Sequence, residues 1–328
     1  MPEPSTAHPF VVVRDDGPGL DRLVRPTVAI GNFDGVHLGH RAVIAAAMER
    51  ASAAHRPAAV LTFEPHPRSF FQPGEPSFQL TSEAAKLRLL AATGLNGAII
   101  LGFDAALASL TAEEFVERIL VDRLAITGAV IGFNFHFGKE RRGTPEFLEA
   151  QGAHHGFSVM VVPPFHHRGR RVSSGAVRDA LAAGHIKQAN ELLGYPWFIT
   201  AQVVHGDKRG RTLGYPTANL RLGSDCGLKH GIYAVRVGVG GSRYDAVASF
   251  GRRPMFDTGA VLLEVFLFDF TGDLYGAALD VAFIAWIRPE MNFDNVEDLI
   301  RRMDEDSRLA RHALARVPDA FPPLGLSG

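Results

Sequence analysis

Cysteine is nearly missing from this chain. Cys226 stands alone among 328 residues, which excludes an internal disulfide and any cluster of cysteine ligands around a metal. Long apolar runs are missing as well: none approaches the ~20 consecutive residues that a spanning helix needs. The first ten residues, MPEPSTAHPF, lack the basic-then-apolar order of a signal peptide. Charge of one sign is not in excess, with 34 Lys+Arg against 35 Asp+Glu and a net charge of -1. That balance argues against a nucleic-acid footprint over the whole chain but leaves room for a local phosphate site. There is no G-x-x-x-x-G-K-S/T phosphate loop and no repeat of fixed period. These absences predict a cytoplasmic protein with no membrane, no nucleic acid and no obligatory protein partner.

Hydrophobic residues make up 46% of the chain and charged residues 21%, enough for sizeable cores and, at this length, for about two domains. The first half alternates short apolar runs with helical patterns. TVAIGNF from Thr27, AAVLTF from Ala58, GAIILGF from Gly97, GAVIGFNF from Gly128 and FSVMVVPP from Phe157 are near-continuous in Val, Ile, Leu and Phe, as strands covered on both faces should be. Helical patterns follow Gly39, Thr81 and Thr111; Thr111 and Glu114 have the spacing of a capping box. Strands alternating with helices predict a doubly wound, Rossmann-like parallel α/β domain.

Residues 172–194 read as two short helices ending at Gly184 and Gly194. Beyond Tyr195-Pro196 the grammar changes to WFITAQVV, GIYAVRVGV, YDAVASF, LLEVFLFDF and LDVAFIAWI. Such runs, separated by turns and not by helices, predict a small antiparallel β-barrel. A terminal helix over NVEDLIRRMDEDSRLARHAL takes Asp294 or Asn295 as its cap. The expected domains are 1–185 and 186–328.

The strand from Thr27 runs into Asp34-Gly35-Val36-His37-Leu38-Gly39-His40 and then a helix. Ligands of open α/β sheets sit at such strand ends, where a helix N-terminus favours anions. Gly31, Gly35 and Gly39 allow tight turning and close approach of a phosphate; His37 and His40 would give charge-assisted hydrogen bonds when protonated. The plainer reading is a solvated turn with two incidental histidines.

GNFDGVHLGH resembles the HxGH signature of nucleotidyltransferases. Alone it also suits pantetheine-phosphate or nicotinate-mononucleotide adenylyltransferases. With LTFEPHP from Leu61, IGFNFHFGKERRG from Ile131 and RVSSGAVRDAL from Arg171, it is similar to the adenylyltransferase half of bifunctional riboflavin kinase/FAD synthetases. The resemblance implies that FMN phosphate attacks the α-phosphate of ATP and displaces pyrophosphate. It places Asn32, Asp34, His37 and His40, with Gly31 and Gly39, on the nucleotide side, and Ser173, Ser174 and Arg178 among the groups that stabilise charge. Phe63, Pro65, His66, Pro67, Asn134 and Phe135 fall on the flavin side; as bare residues the phenylalanines read equally as core and the prolines as strand ends. One departure stands out: Gly175 occupies the place where the family carries Thr or Ser.

The second motif, HGDKRGRTLGYPTANL from His205, reads by itself as a glycine-rich loop before a strand. It resembles the riboflavin kinase pattern, which implies phosphate handling by Gly206, Gly210, Arg211, Gly214 and Pro216, and Mg²⁺ ligation by Thr217 and Asn219. Both are hard oxygen donors of the kind Mg²⁺ takes beside water and phosphate. LLEVFLFDF resembles the segment holding the kinase carboxylate, at Glu264, although a Glu in an alternating strand also reads as merely outward-facing. IRPEMNF from Ile287 resembles a flavin-side flap, with Arg288 and Glu290 as polar contacts. Met255 and Phe266 stand where the family usually has Thr and His.

The resemblance therefore implies an enzyme that uses ATP and Mg²⁺ to turn riboflavin into FMN and FMN into FAD. Two alternatives stay open: a single-activity riboflavin kinase with a weakened adenylyltransferase half, and a flavin-binding protein that transfers nothing.

Overall fold

A computed structural model describes residues 9–15, 17–72, 74, 78–205, 215–252 and 261–318. Contacts divide the chain into two compact units, Met1–Ser77 with Lys86–Val172, and Phe78–Ala85 with Ser173–Gly328. The change of unit thus falls at 172/173, ahead of the 185/186 boundary read from sequence, and Phe78–Ala85 joins the second unit.

The first unit is built on a six-stranded sheet of β1 (Val11–Arg14), β2 (Thr27–Ile30), β3 (Ala58–Glu64), β4 (Gly97–Gly102), β5 (Gly128–Gly132) and β6 (Ser158–Val162). The order is β1-β4-β3-β2-β5-β6, and every pairing is parallel. β2 is buried at each of its four positions and β3 at all but its last, so their apolar runs are explained by cover on both faces. From β2 the chain winds outward through β3 and β4, then returns to place β5 on the other side of β2. The crevice of a doubly wound sheet lies at such a reversal. The turn GNFDGVHLGH leaves β2 there and enters α1 (Leu38–Ala53).

Two features of this unit differ from the expected pattern. β1 is a four-residue edge strand of alternating burial, too short to stand out in the sequence. The capping box forms, with Thr111 Oγ1 accepting from the Glu114 N–H at 3.1 Å and Glu114 Oε2 accepting from the Thr111 N–H at 3.0 Å. The helix then widens to a π-helix over Phe115–Arg123, because apolar spacing specifies the buried face and not which carbonyl pairs with which N–H.

A two-stranded hairpin of β7 (His166–His167) and β8 (Arg170–Arg171) ends the first unit. In the second unit β9 (Phe198–Val204), β10 (Ala218–Leu222), β11 (Gly231–Val239), β12 (Ser242–Arg252), β13 (Val261–Leu267) and β14 (Ala278–Arg288) close a barrel in the order β10-β13-β12-β11-β14-β9. Closure leaves no unpaired edge. Two helices precede it, Ser174–Ala183 and Ile186–Leu193, each ending at a left-handed glycine, Gly184 (φ 79) and Gly194 (φ 78).

The terminal helix, Val296–Leu314, is capped by Asn295 and held on the barrel by three arginines. Arg288 reaches Asp306 with Nε at 2.8 Å and a second nitrogen at 2.6 Å. Arg236 donates to the carbonyls of Leu314, Val317 and Pro318, where a helix C-terminus is negative. Arg311 grips Asp269 at 2.9 and 3.2 Å and lies 4.2 Å over the Phe268 ring.

The segment Phe78–Ala85 is bound to this unit through backbone carbonyls. Arg178 Nε donates to Phe78 O at 2.6 Å, and Trp197 Nε1 donates to Leu80 O at 2.8 Å in a buried position. Trp197 is only 1% exposed. Trp197→Phe keeps an aromatic ring but removes the buried indole donor to the Leu80 carbonyl, at a cost of about 0.5–1.5 kcal/mol for a lost hydrogen bond. Denaturant unfolding of the variant should show that loss; an unchanged midpoint would mean the carbonyl finds another donor.

Candidate functional sites

The loop after β2 is strained. Phe33 (φ 50), Gly35 (φ 83) and Val36 (φ 35) all take left-handed backbone, and for a β-branched residue such as Val36 that is rare. Strain of this kind persists where surrounding structure over-determines it, and it clusters at functional loops. Of the three glycines expected to turn the chain, only Gly35 has a positive φ. Gly39 serves by lacking a side chain: a Cβ there would lie 3.2 Å from Cε1 and Nδ1 of His37.

His37 caps α1, its Nδ1 accepting the His40 N–H at 3.1 Å. That bond leaves Nε2 to carry the proton of the neutral ring. The His37 and His40 rings stack with centroids 3.6 Å apart and planes at 13°, and Phe33 meets His40 edge-on at 5.3 Å. Asp34 and His37 are both buried. Burial first, then His37 and Lys86, hold the His40 pKa well below the ordinary 6.5. The charged hydrogen bond expected of His40 requires protonation, which this environment disfavours. The Nδ1 of His40 is buried with no hydrogen-bond partner among the described residues.

The residues assigned to the flavin side border the same sheet. Phe63 is buried and meets Phe103 edge-on at 5.9 Å, and Phe71, 63% exposed, meets Phe103 at 5.7 Å. A cis peptide joins Glu64 to Pro65. His66 caps the short helix Pro67–Phe71, its Nδ1 accepting the Arg68 N–H at 3.1 Å. Phe135 stacks on Phe137 at 5.4 Å, and Asn134 is exposed. Ser173, Ser174 and Arg178 fall in the second unit by contacts; Ser173 Oγ caps the helix that starts at Ser174, accepting the Ala176 N–H at 3.2 Å.

Two residues that the motifs did not single out belong to the first site. The Lys86 ammonium sits 2.5 Å from Glu64 Oε1 and 3.5 Å from the Asn32 carbonyl. Lys86 lies inside a helical pattern where a lysine ordinarily signals the solvated face, and only its 4% exposure reveals it.

The second site follows from barrel register. Asn219 on β10 is opposite Glu264 on β13, Glu264 is opposite Ser249 on β12, Ser249 is opposite Ile232 on β11, and Ile232 is opposite Arg288 on β14. Burial along β13 alternates, with Glu264 on the less buried face beside Leu262 and Phe266, so Glu264, Asn219 and Ser249 share the outer surface of the barrel. Asn219 is nonetheless buried, and its Nδ2 lies 3.5 Å from the Thr217 carbonyl. Pro216 and Thr217 lead directly into β10. Gly206, Gly210, Arg211 and Gly214 lie outside the described residues.

Around this row, Tyr215 donates its hydroxyl to Asp304, and burial followed by that bond pushes its pKa up to about 12. Arg288 is the clamp on Asp306 already described. Glu290 lies 3.8 Å from His230 Nδ1, with its carboxylate over Gly251, where a Cβ would come within 1.9 Å of it.

A helix start on an α/β sheet that suits an anion, and a carboxylate paired in register with an amide on a barrel, are features compatible with a transferase of two centres. The FAD synthetase family matches residues 22–176 and the riboflavin kinase family matches residues 193–314. The bifunctional riboflavin kinase/FMN adenylyltransferase of Pseudomonas fluorescens is 41% identical over 283 residues, 86% of this chain and 91% of that one. Its counterpart in Escherichia coli K12 is 38% identical over 285 residues, 87% and 91% of the two chains. A solved structure named as a macrolide-efflux protein of Streptococcus pneumoniae superposes with a TM-score of 0.82 at 32% identity, covering 92% of this chain and 99% of its own. The chain belongs to the bifunctional riboflavin kinase/FMN adenylyltransferase family.

Two predictions concern the first site and its neighbouring motif. His40 should remain neutral through pH 6.5, and its ring signals in an NMR titration should move only at lower pH. A base whose folded pKa is depressed loses stability as pH falls below its unfolded value, since only the unfolded chain then takes up the proton. Relative to His40→Gln, the parent protein should therefore lose stability below about pH 6.5; parallel curves would place His40 in contact with solvent.

Gly175 has no positive φ, and a Cβ there would meet only Ser173 Oγ at 3.8 Å. It is thus no backbone requirement. Gly175→Ala should raise stability by up to about 1 kcal/mol through helix propensity, read from the melting temperature; a destabilised variant would refute the open space at this position.

Proposed function

We propose that this chain phosphorylates riboflavin to FMN at the barrel and adenylylates FMN to FAD at the α/β unit, with ATP as donor in both reactions. The observation that carries the reading is the register that aligns Asn219 with Glu264, in a chain that also holds the stacked His37 and His40 at a helix start. A storage protein needs neither a base beside hard oxygen ligands nor two histidines stacked against an anion-binding turn. Both family matches together favour the bifunctional reading over a lone kinase.

In the kinase step the nucleophile is a hydroxyl of riboflavin's ribityl chain, which is weakly nucleophilic while it keeps its proton. Glu264 accepts that proton as the oxygen attacks the γ-phosphorus and ADP leaves. Thr217 and Asn219 would hold Mg²⁺. Their oxygen donors fit it, and the ion when bound supplies positive charge against the phosphates. Arg288 and Glu290 stand on the flavin side, Arg288 with its guanidinium fixed by Asp306.

The adenylyl step needs no base. A phosphate monoester has a second pKa of about 6 and is largely dianionic at neutral pH. An FMN oxygen attacks the α-phosphorus of ATP and pyrophosphate leaves. The work of the site is placement and charge stabilisation: by the start of α1, by His37 and His40, and by Asn32 and Asp34. Phe63, Pro65, His66, Pro67, Asn134 and Phe135 form the flavin side of this reading, and Ser173, Ser174 and Arg178 carry over from the motif as phosphate-binding residues. A cytoplasmic setting suits an ATP-dependent protein with a single cysteine. Among the described residues no helix is long and apolar enough to cross a membrane.

The two centres separate by substitution. Glu264→Gln should lower FMN formation by roughly 10²–10⁴-fold, the usual worth of a general base, and leave FAD formation from supplied FMN close to the parent rate. His40→Ala should do the reverse, by roughly 10–100-fold. Chromatography of flavins after incubation with ATP and Mg²⁺ reads both. Equal loss of both products in either folded variant would count against two independent centres.

A further inference from the structure

Two donors converge on the backbone carbonyl of Asn32. The hydroxyl of Thr62, a residue with no exposed surface, donates to it at 3.3 Å, and the Lys86 ammonium approaches it at 3.5 Å. Asn32 is the last residue before the strained run Phe33, Gly35 and Val36. A strained segment needs a fixed point at its origin, and this carbonyl is that point.

The ammonium is itself immobilised, since its ion pair with Glu64 leaves the Lys86 side chain 5% and the Glu64 side chain 17% exposed. Glu64 closes β3 and precedes the cis peptide to Pro65. One buried cation therefore ties the end of β3 to the loop leaving β2. An ion pair this deep is weak evidence of a stability role, because desolvation of both charges offsets much of their attraction.

We propose that Lys86 is a positioning residue for adenylyl transfer: its ammonium, oriented by Glu64, fixes the Asn32 carbonyl and so sets the loop that presents His37 and His40 to the phosphates. The proposal rests on the function read above for the α/β unit. The same charge is one of the influences that keep His40 neutral, after burial and His37. Lys86 touches no reacting atom; it acts through the loop.

The test uses the full chain, with FMN formation from riboflavin as an internal control of folding. Lys86→Met removes the ammonium. Lys86→Met combined with Glu64→Gln removes it without leaving an unpaired buried carboxylate. Both proteins should lose roughly 10–100-fold in kcat/KM for FAD formation, with FMN formation kept, and the His40 ring should titrate closer to 6.5 than in the parent.

A double variant with the parent rate of FAD formation would overturn the proposal, because Lys86 would then serve only to neutralise Glu64. A Lys86→Met protein with the parent FAD rate would overturn it as well. If the single variant loses FMN formation too, the double variant decides by the same criterion. Parent protein that makes FMN but no FAD would sink the functional reading itself, a result distinct from any of these.

Discussion

Covering a sheet on both faces leaves little place for charged side chains along its strands, and that constraint sets where chemistry can happen in this protein. In the α/β unit β2 and β3 are buried almost throughout and carry no charged residue before Glu64, so charged groups fall at the strand ends. Parallel strands align all their carboxyl ends on one side of the sheet. Asn32, Asp34 and His37 are met on leaving β2, and Glu64 on leaving β3. In the barrel the constraint takes another form: the interior is filled by side chains, and Glu264 with its register neighbours stands on the outer surface. Closure then fixes which residues are neighbours, because a slip of one residue would turn Glu264 inward.

Charge is handled differently in the two places. The terminal helix is held by arginines that meet carboxylates or carbonyls: Arg288 with Asp306, Arg236 with the last turn, Arg311 with Asp269. The Arg288–Asp306 pair is deeply buried, whereas Asp269 is 79% exposed at its side chain. The first therefore acts mainly to fix geometry, and the second contributes little beyond its stacking partner Phe268. At the start of α1 the arrangement is reversed: burial, then His37 and Lys86, hold the His40 pKa well below 6.5 and so favour its uncharged form. A histidine in that state does not attract stray anions, and its affinity for phosphate depends on the placement of its N–H.

Much of the architecture was legible because it rests on periodicity. Five apolar runs became parallel strands, the caps at Thr111 and Asn295 formed where their spacing indicated, and Gly184 and Gly194 end their helices in the left-handed region. The motifs located both candidate sites. What stayed hidden depends on contacts between distant residues. Lys86 and Glu64 lie 22 positions apart, and nothing in either local pattern marks the pair. Arg288 reads as a ligand contact in its motif, and only the approach of Asp306 shows it bridging strand and helix. The attachment of Phe78–Ala85 to the barrel unit runs largely through main-chain carbonyls, which carry no sequence signature.

The two reactions make opposite demands on a proton, and the residues follow them. An alcohol must lose its proton as it attacks, so the barrel carries a carboxylate on a half-exposed strand face, within the same row as an amide and a hydroxyl. A phosphate arrives already ionised and needs no base, so the α/β unit invests in geometry: a left-handed backbone, stacked rings and a buried cation at the loop's origin. A general base tolerates solvent, because water can carry its proton away. Placement does not, because a loop that relaxes loses its alignment. That difference is consistent with the roles proposed for these residues: Glu264 stays partly accessible while Asp34, His37 and Lys86 are buried.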